Sequence, residues 1–306
     1  MIASPMRLAV VAGVVLALCG CAAGRSPSGT VSETPIAAAP TAVATASAAP
    51  TPTPVPISGR FDAGNGRQLW IECSGAGSPT VVLEAGGDSN SAQWPLYIRK
   101  TLSVETTVCV YDRAGLGLSN AAARPANMAG IVGDLVGLLA AAHVPGPYLL
   151  VGTSFGGQIA LHYALTHGAD TAGLVILDTD FPTLDPARDP LGVLLSPAEY
   201  AAMKADDAWA QATLAETVAL IHPLPGIPIR ILTATQAELD CFPGKTPDFC
   251  RQIVDLDIGF QADWLTLSPT AVRVLVDAPH DLPNQAVDIV VAQIDLALKD
   301  ARARDY

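Results

Sequence analysis

The most constraining feature of this sequence is a series of short, uninterrupted apolar runs that alternate with helical stretches. Three of these runs cover residues 81–83, 149–151 and 174–177. A run without polar alternation suits a strand buried on both faces, as in a parallel sheet covered by helices. The repeated order of strand, turn and helix therefore predicts an α/β fold with a doubly wound, mostly parallel sheet.

This pattern predicts seven strands, three long helices and one insertion. The strands cover residues 68–73, 80–84, 107–111, 148–151, 173–177, 229–234 and 272–276. The long helices cover residues 126–143, 156–167 and 284–301. Residues 181–226 interrupt the alternation and contain a capping box, Ser196-Pro197-Ala198-Glu199, ahead of a helical run. We therefore expect a domain over residues 59–306, with a small helical cap inserted at 181–226.

The N-terminal segment has the composition of an export signal. Arg7 precedes an apolar run over residues 8–18, which is short for a membrane span. Leu18-Cys19-Gly20-Cys21 resembles a bacterial lipobox. This resemblance implies that residues 1–20 form a signal peptide and that Cys21 carries a lipid. An ordinary cleavage site near residues 22–24 and an uncleaved signal anchor are the alternatives.

Residues 21–58 are rich in Ala, Thr, Ser and Pro and contain few large apolar side chains. Such a segment has little surface to bury, so it is expected to be a disordered linker. The N-terminal features together predict an exported protein, held on the outer face of the cell membrane by a lipid or secreted.

Four cysteines remain when the predicted signal and lipid sites are set aside: Cys73, Cys109, Cys241 and Cys250. An even number in an exported chain indicates disulfides, although four cysteines allow three pairings. We favour Cys73 with Cys109, on predicted neighbouring strands, and Cys241 with Cys250, which would close a short loop. Free buried thiols are the alternative. No two of these cysteines have the close spacing of a zinc site, so no metal is expected.

The acidic composition limits the classes of partner. The chain has 29 acidic and 17 basic residues, a net charge of -12. A nucleic-acid partner is not expected, because phosphate binding needs clustered Lys and Arg. No cofactor is expected either, because no dinucleotide or phosphate-binding motif is found; residues 115–117 lack the third glycine of such a motif. The sequence does not indicate an oligomeric state.

The strongest chemical motif is Gly152-Thr153-Ser154-Phe155-Gly156, between a predicted strand and a predicted helix. In a sharp strand-to-helix turn, small flanking residues avoid clashes and the serine projects from the tip. An ordinary glycine-rich turn is the alternative interpretation. A serine hydroxyl needs a base to remove its proton. His280 directly follows the last predicted strand and is the favoured base; the other histidines are interpreted as packing or surface residues (His143, His162, His167 and His222).

A carboxylate that orients the histidine has three candidates. Asp178 comes directly after the strand at 173–177, whereas Glu238 and Asp240 come slightly late after the strand at 229–234. An Asp at a strand end is also a common turn former. We favour Asp178 and keep Glu238 and Asp240 as alternatives.

With these residues the chain resembles the α/β-hydrolase family over roughly residues 59–300. Residues 111–119 (YDRAGLGLS) are similar to the family's D-x-x-G-x-G-x-S segment, and residues 83–87 (LEAGG) take the place of its oxyanion segment. Ala85 and Thr153 stand where relatives often have histidine. The resemblance implies an oxyanion hole formed by the backbone N–H groups of Gly87 and Phe155. Exported relatives often carry cysteines at positions like Cys73 and Cys109.

The resemblance implies a serine hydrolase that cleaves a small-molecule ester through an acyl-enzyme, like a carboxylesterase or lipase. Peptidase, thioesterase and haloperoxidase chemistry on the same three residues are alternatives, as is a binding lipoprotein without activity. A serine nucleophile argues against dehalogenase and epoxide hydrolase activities, which use Asp in this family. The cap is rich in Ala and Leu and carries Trp209, which predicts a mostly apolar substrate pocket.

Overall fold

The computed structural model describes residues 56–64, 66–121, 123, 125, 127–238 and 244–304. The predicted signal peptide, Cys21 and nearly all of the predicted linker lie outside the described residues, as do Asp240 and Cys241. In the part of the chain that is described, no helix combines the length and the apolar character that a membrane crossing requires.

An eight-stranded sheet forms the centre of the domain. Its strands are β1 (Ile57–Asp62), β2 (Gln68–Ser74), β3 (Thr80–Glu84), β4 (Val108–Tyr111), β5 (Tyr148–Thr153), β6 (Thr171–Leu177), β7 (Ile229–Ala234) and β8 (Val272–Val276). They lie in the order β1-β2-β4-β3-β5-β6-β7-β8. The pairs β1–β2 and β2–β4 are antiparallel and all the others are parallel, which confirms the predicted mostly parallel sheet.

Helices cover both faces of this sheet. They are α1 (Leu96–Leu102), α2 (Met128–Ala141), α3 (Phe155–Thr166), α4 (Pro190–Leu194), α5 (Pro197–Asp206), α6 (Ala208–Leu220), α7 (Pro247–Phe260), α8 (Leu282–Gln285) and α9 (Val287–Arg302). Val82 packs on one face with α2 and α3, whereas Val81 and Leu83 pack on the other with α1 and α9. The uninterrupted apolar runs are therefore strands buried on both sides, as expected.

Three helices, α4, α5 and α6, follow one another between β6 and β7, within the residues predicted to form a cap. The capping box at the start of α5 is formed: the Glu199 N–H donates to Ser196 Oγ at 3.3 Å and the Ser196 N–H donates to Glu199 Oε2 at 3.0 Å. Helix α6 packs against α2 and α3. On α6, Trp209 lies with its ring centroid 5.5 Å from that of Phe155. The cap thus reaches the residue that follows Ser154.

Three elements were not predicted: strand β1, helix α1 and helix α7. Strand β1 begins at Ile57, two residues before the predicted start of the domain, and its exposure alternates along an edge of the sheet, so it lacks an apolar run. Helix α7 was missed although Thr246 caps it and Pro247 occupies its first turn. The predicted last helix is divided into α8 and α9 at Ala286, whose φ of −136° is not helical.

The disulfide between Cys73 and Cys109 is present, as predicted. The two residues are directly opposite each other in the register of β2 and β4, and both are buried. Cys250 is buried and disulfide-bonded. Because Cys241 lies outside the described residues, the identity of the second pair stays a prediction.

Candidate active site

Ser154 occupies a tight turn between β5 and α3. Its φ of 53° and ψ of −127° lie in a region that residues with side chains seldom adopt. A Cβ atom on Gly152 would lie 2.3 Å from the Gly156 carbonyl oxygen, and one on Gly156 would lie 2.6 Å from that of Glu84. Both flanking positions therefore require glycine, and the turn packs directly against the end of β3.

His280 lies in the loop after β8, where the sheet brings it to Asp178 at the end of β6. The Nδ1 atom of His280 is 2.6 Å from Asp178 Oδ2, and Asp178 is 12% exposed. The second oxygen of Asp178, Oδ1, accepts from the Ala234 N–H at 3.0 Å and from Gln261 Nε2 at 3.1 Å. With both oxygens occupied, the carboxylate has a defined orientation towards the imidazole.

The hydrogen bond with Asp178 raises the pKa of His280 above its ordinary value, and the negative charge of Asp178 adds to this effect. Partial burial of the imidazole opposes the shift. The ring is nevertheless reached by solvent, since 49% of its side chain is exposed.

Glu238, the other candidate carboxylate in the described part of the chain, has no hydrogen bond or ion pair with His280. Glu238 is exposed and affects the pKa of His280 through its charge alone. Asp240 lies outside the described residues. Among the histidines interpreted as packing residues, His162 is buried and hydrogen bonds with Thr217 on α6, at 3.0 Å from Nδ1 to Oγ1.

Ser154, Asp178 and His280 line one cavity of about 220 Å³. Its other lining residues are Phe155, Gln158, Asp180, Asp257 and Gln261. Burial, followed by the charge of Asp180, raises the pKa of Asp257. Two adjacent carboxylates repel each other, so ionisation of one disfavours ionisation of the other.

A loop over residues 85–87, here called the oxyanion loop, follows β3 and borders Ser154. A Cβ atom on Gly86 would lie 3.4 Å from the Cβ of Ser154. The N–H of Gly87 and the N–H of Phe155, at the start of α3, donate to no other described residue. The role of these two N–H groups as oxyanion donors stays a prediction.

A second cavity of about 290 Å³ lies on the side of the oxyanion loop. Gly87 and Phe155 line it together with Trp209, Leu69, Leu116 and Ile131, and four charged residues also border it (Asp88, Arg113, Asp134 and Asp207). Most of the lining residues are apolar, so we call it the apolar cavity. Phe155 lines both cavities, so they meet at the residue after Ser154.

Sequence reasoning missed Asp257 and Gln261, because both depend on α7. That helix carries apolar residues at positions 249, 253, 256 and 260, a helical spacing behind the Thr246-Pro247 start signal. These signals would have identified the helix. They would not have shown that its C-terminal end lies against Asp178, which depends on the packing of α7 beside β7.

Comparison with known proteins gives a consistent result. The model of the family described as the alpha/beta hydrolase family matches residues 73–304. An uncharacterised protein of Schizosaccharomyces pombe is 32% identical over 139 residues, which are 36% of this chain and 26% of that protein. The chain covers less than half the length of each curated relative it matches.

Solved structures with the same fold include two hydrolytic enzymes. An esterase from Thermogutta terrifontis is 21% identical with a TM-score of 0.54, covering 81% of this chain and 98% of that one. An enol-lactonase from Burkholderia xenovorans is 18% identical with a TM-score of 0.52, covering 78% and 99%. At such low identity, the likeness extends to the fold alone.

Replacing Asp178 by Asn is expected to lower the pKa of His280, because the ring loses a charged hydrogen-bond acceptor. Titration of the His280 ring signals by NMR measures this shift. Any activity that needs a neutral His280 should then extend to lower pH, while its maximum rate falls by roughly 10³- to 10⁴-fold. Glu238→Gln is the control, with a smaller shift expected. Equal titration curves for the wild type and Asp178→Asn would contradict the assignment.

Proposed function

Since the chain belongs to the α/β-hydrolase family, we propose that it is a serine hydrolase that cleaves an ester-type bond of a small molecule. Ser154 is the nucleophile, His280 the general base and Asp178 the carboxylate that orients the imidazole. One observation carries this proposal: Ser154 lines the same cavity as His280, and His280 hydrogen bonds with Asp178, which is 12% exposed.

The reaction begins when Ser154 Oγ attacks the ester carbonyl carbon while His280 removes the hydroxyl proton. The electron pair of the carbonyl bond moves to its oxygen, where the N–H groups of Gly87 and Phe155 stabilise the negative charge. When the carbonyl re-forms, the alcohol leaves with the proton from His280 and an acyl-enzyme remains. Water, activated by His280, then releases the acid and restores Ser154. Asp178 stays ionised and stabilises the imidazolium.

The two cavities suggest which parts of a substrate they bind. The leaving alcohol must face His280, so it would lie in the cavity lined by Ser154, Asp178 and His280, here called the polar cavity. The acyl group would extend past Gly87 and Phe155 into the apolar cavity. Among the described residues that line the polar cavity, three are Asp and none is Lys or Arg. We therefore expect an apolar acyl group and an alcohol part without negative charge.

A fluorophosphonate probe is expected to label the wild type and not Ser154→Ala, because the probe reacts only with an activated serine. Ester hydrolysis by Ser154→Ala should fall by roughly 10⁴- to 10⁶-fold in kcat. In-gel fluorescence and a 4-nitrophenyl ester assay measure the two effects. Ser103→Ala, which follows α1 and lines neither cavity, should be labelled like the wild type. An unlabelled wild type would remove the main support for the proposal.

Substitution of Trp209 by Ala should shift the preference towards longer acyl chains, because Trp209 fills one wall of the apolar cavity. The measurement is kcat/KM for 4-nitrophenyl esters of increasing chain length. The ratio of long-chain to short-chain kcat/KM should rise by about tenfold. Leu220→Ala is the matched control, because Leu220 lies on the same helix but is 40% exposed. An unchanged ratio would assign the acyl group to another surface.

The lipobox-like segment supports an exported enzyme anchored by a lipid on Cys21. In a bacterial host, the wild type should then be found in the membrane fraction, and Cys21→Ala should not be lipidated. Incorporation of labelled palmitate detects the modification. Cys19→Ala keeps the adjacent Gly20-Cys21 and should remain lipidated. If the wild type takes up no label, the proposed lipid anchor on Cys21 is wrong, and an ordinary signal peptide is favoured.

A further inference from the structure

Arg113, in the loop after β4, donates hydrogen bonds to the backbone of the oxyanion loop from both terminal nitrogens of its guanidinium group. Nη1 donates to the Ala85 carbonyl oxygen at 2.6 Å, and Nη2 donates to that of Gly86 at 2.6 Å. Nη2 also donates to the Gly87 carbonyl oxygen. Three consecutive carbonyl groups of this loop are thus bound by one side chain, which is 11% exposed.

The carbonyl group of Gly86 and the N–H of Gly87 belong to the same peptide unit. A trans peptide is planar, and its C=O and N–H bonds point in opposite directions. When Arg113 fixes the direction of the Gly86 carbonyl, it also fixes the direction of the Gly87 N–H. Without such a contact, two consecutive glycines would leave this peptide free to rotate, because glycine has a wide range of backbone angles.

The preceding peptide is held from the other side. The N–H of Gly86 donates to Gln93 Oε1 at 2.8 Å. The loop is therefore fixed by Arg113 through its carbonyl groups and by Gln93 through an N–H.

The guanidinium group is itself held in place by Glu84, the last residue of β3. Nη1 of Arg113 lies 2.6 Å from Glu84 Oε1, and Glu84 is 4% exposed. Tyr111 donates to the other oxygen of Glu84. A buried charge is stable only when an opposite charge and hydrogen bonds compensate it. A lysine has no planar guanidinium group and could not donate to the same set of acceptors.

Arg113 also lies near the ring of Phe155, the residue whose N–H is the second proposed donor. Its guanidinium carbon lies 5.9 Å from the ring centroid of Phe155. One cation therefore lies beside both residues whose N–H groups are the proposed donors, and it lines the apolar cavity together with them.

We propose that Arg113 is a positioning residue, which aims the Gly87 N–H at the oxygen of the tetrahedral intermediate by holding the carbonyl groups of the oxyanion loop. The inference rests on the proposed function. It assigns Arg113 an effect on the transition state rather than on substrate binding. A misdirected N–H stabilises the developing negative charge less well, and that charge is present only in the transition state and the intermediate.

The test uses Arg113→Lys, which keeps a positive charge beside Glu84 but cannot bind three carbonyl groups, and Arg113→Gln, which removes the charge. We expect kcat for a 4-nitrophenyl ester to fall by roughly 10²- to 10³-fold in both, as for the loss of one oxyanion donor. KM should change less than kcat, although Arg113 also lines the apolar cavity. A trifluoromethyl ketone, which forms an oxyanion on the serine, should lose affinity in parallel with kcat.

Arg230→Gln is the matched control. Arg230 is also 11% exposed and bound to a carboxylate, Asp300, but it lies near the start of β7, at the opposite ends of the parallel strands from Ser154. This variant should lower Tm without lowering kcat. The acidic limb of the pH profile should be the same in all variants, because none of them alters the Asp178–His280 pair.

Three results would overturn the inference. One is a wild-type kcat in Arg113→Lys, which would leave only a charge effect. Another is a loss confined to KM, and the third is a loss of Tm and kcat together in Arg113→Gln and in Arg230→Gln. If Arg113→Gln fails to fold, Arg113→Lys still decides between position and charge. Fluorophosphonate labelling of the wild type separates these results from a failure of the proposed function, which would abolish labelling of Ser154 itself.

Discussion

The backbone turn at Ser154 is the constraint on which the rest of the site depends. A residue with a side chain is held at positive φ, and the turn is stable only because neighbouring strands surround it. The Ser154 N–H donates to the Leu177 carbonyl at the end of β6, at 3.0 Å. On the other side, Gly156 is in close contact with the end of β3. Any larger residue at Gly152 or Gly156 would push the serine away from both neighbours.

The sheet order then determines which groups meet this serine. The carboxyl ends of parallel strands lie at one edge, so the loops after β3, β6 and β8 converge near the end of β5. The loop after β3 supplies the Gly87 N–H, the residue after β6 is Asp178 and the loop after β8 carries His280. Two sets of polar contacts support these loops. Gln261 and the Ala234 N–H donate hydrogen bonds to Asp178. The ion pair of Arg113 with Glu84 supports the oxyanion loop.

Much of this arrangement could be predicted, because it depends on local patterns. The uninterrupted apolar runs identify the buried strands, the G-x-S-x-G segment identifies the turn at Ser154, and adjacent strands allow Cys73 to meet Cys109. Strand β1 and helix α7 escaped prediction for different reasons. Strand β1 is an edge strand with alternating exposure and lacks an apolar run. Helix α7 has a start signal and a helical spacing of apolar residues, but it directly follows a segment that contains Pro and Gly.

The sequence by itself determined the fold class, the turn that presents Ser154 and the position of His280 after the last strand, because each depends on neighbours along the chain. Only the tertiary structure brought Asp178 rather than Glu238 within 2.6 Å of His280, since that distance depends on how β6, β7 and β8 lie side by side. The hydrogen bonds from Arg113 to residues 85–87 likewise form because β4 pairs with β3 in the sheet. Contacts between residues distant in sequence depend on strand order, and no local pattern in the chain records that order.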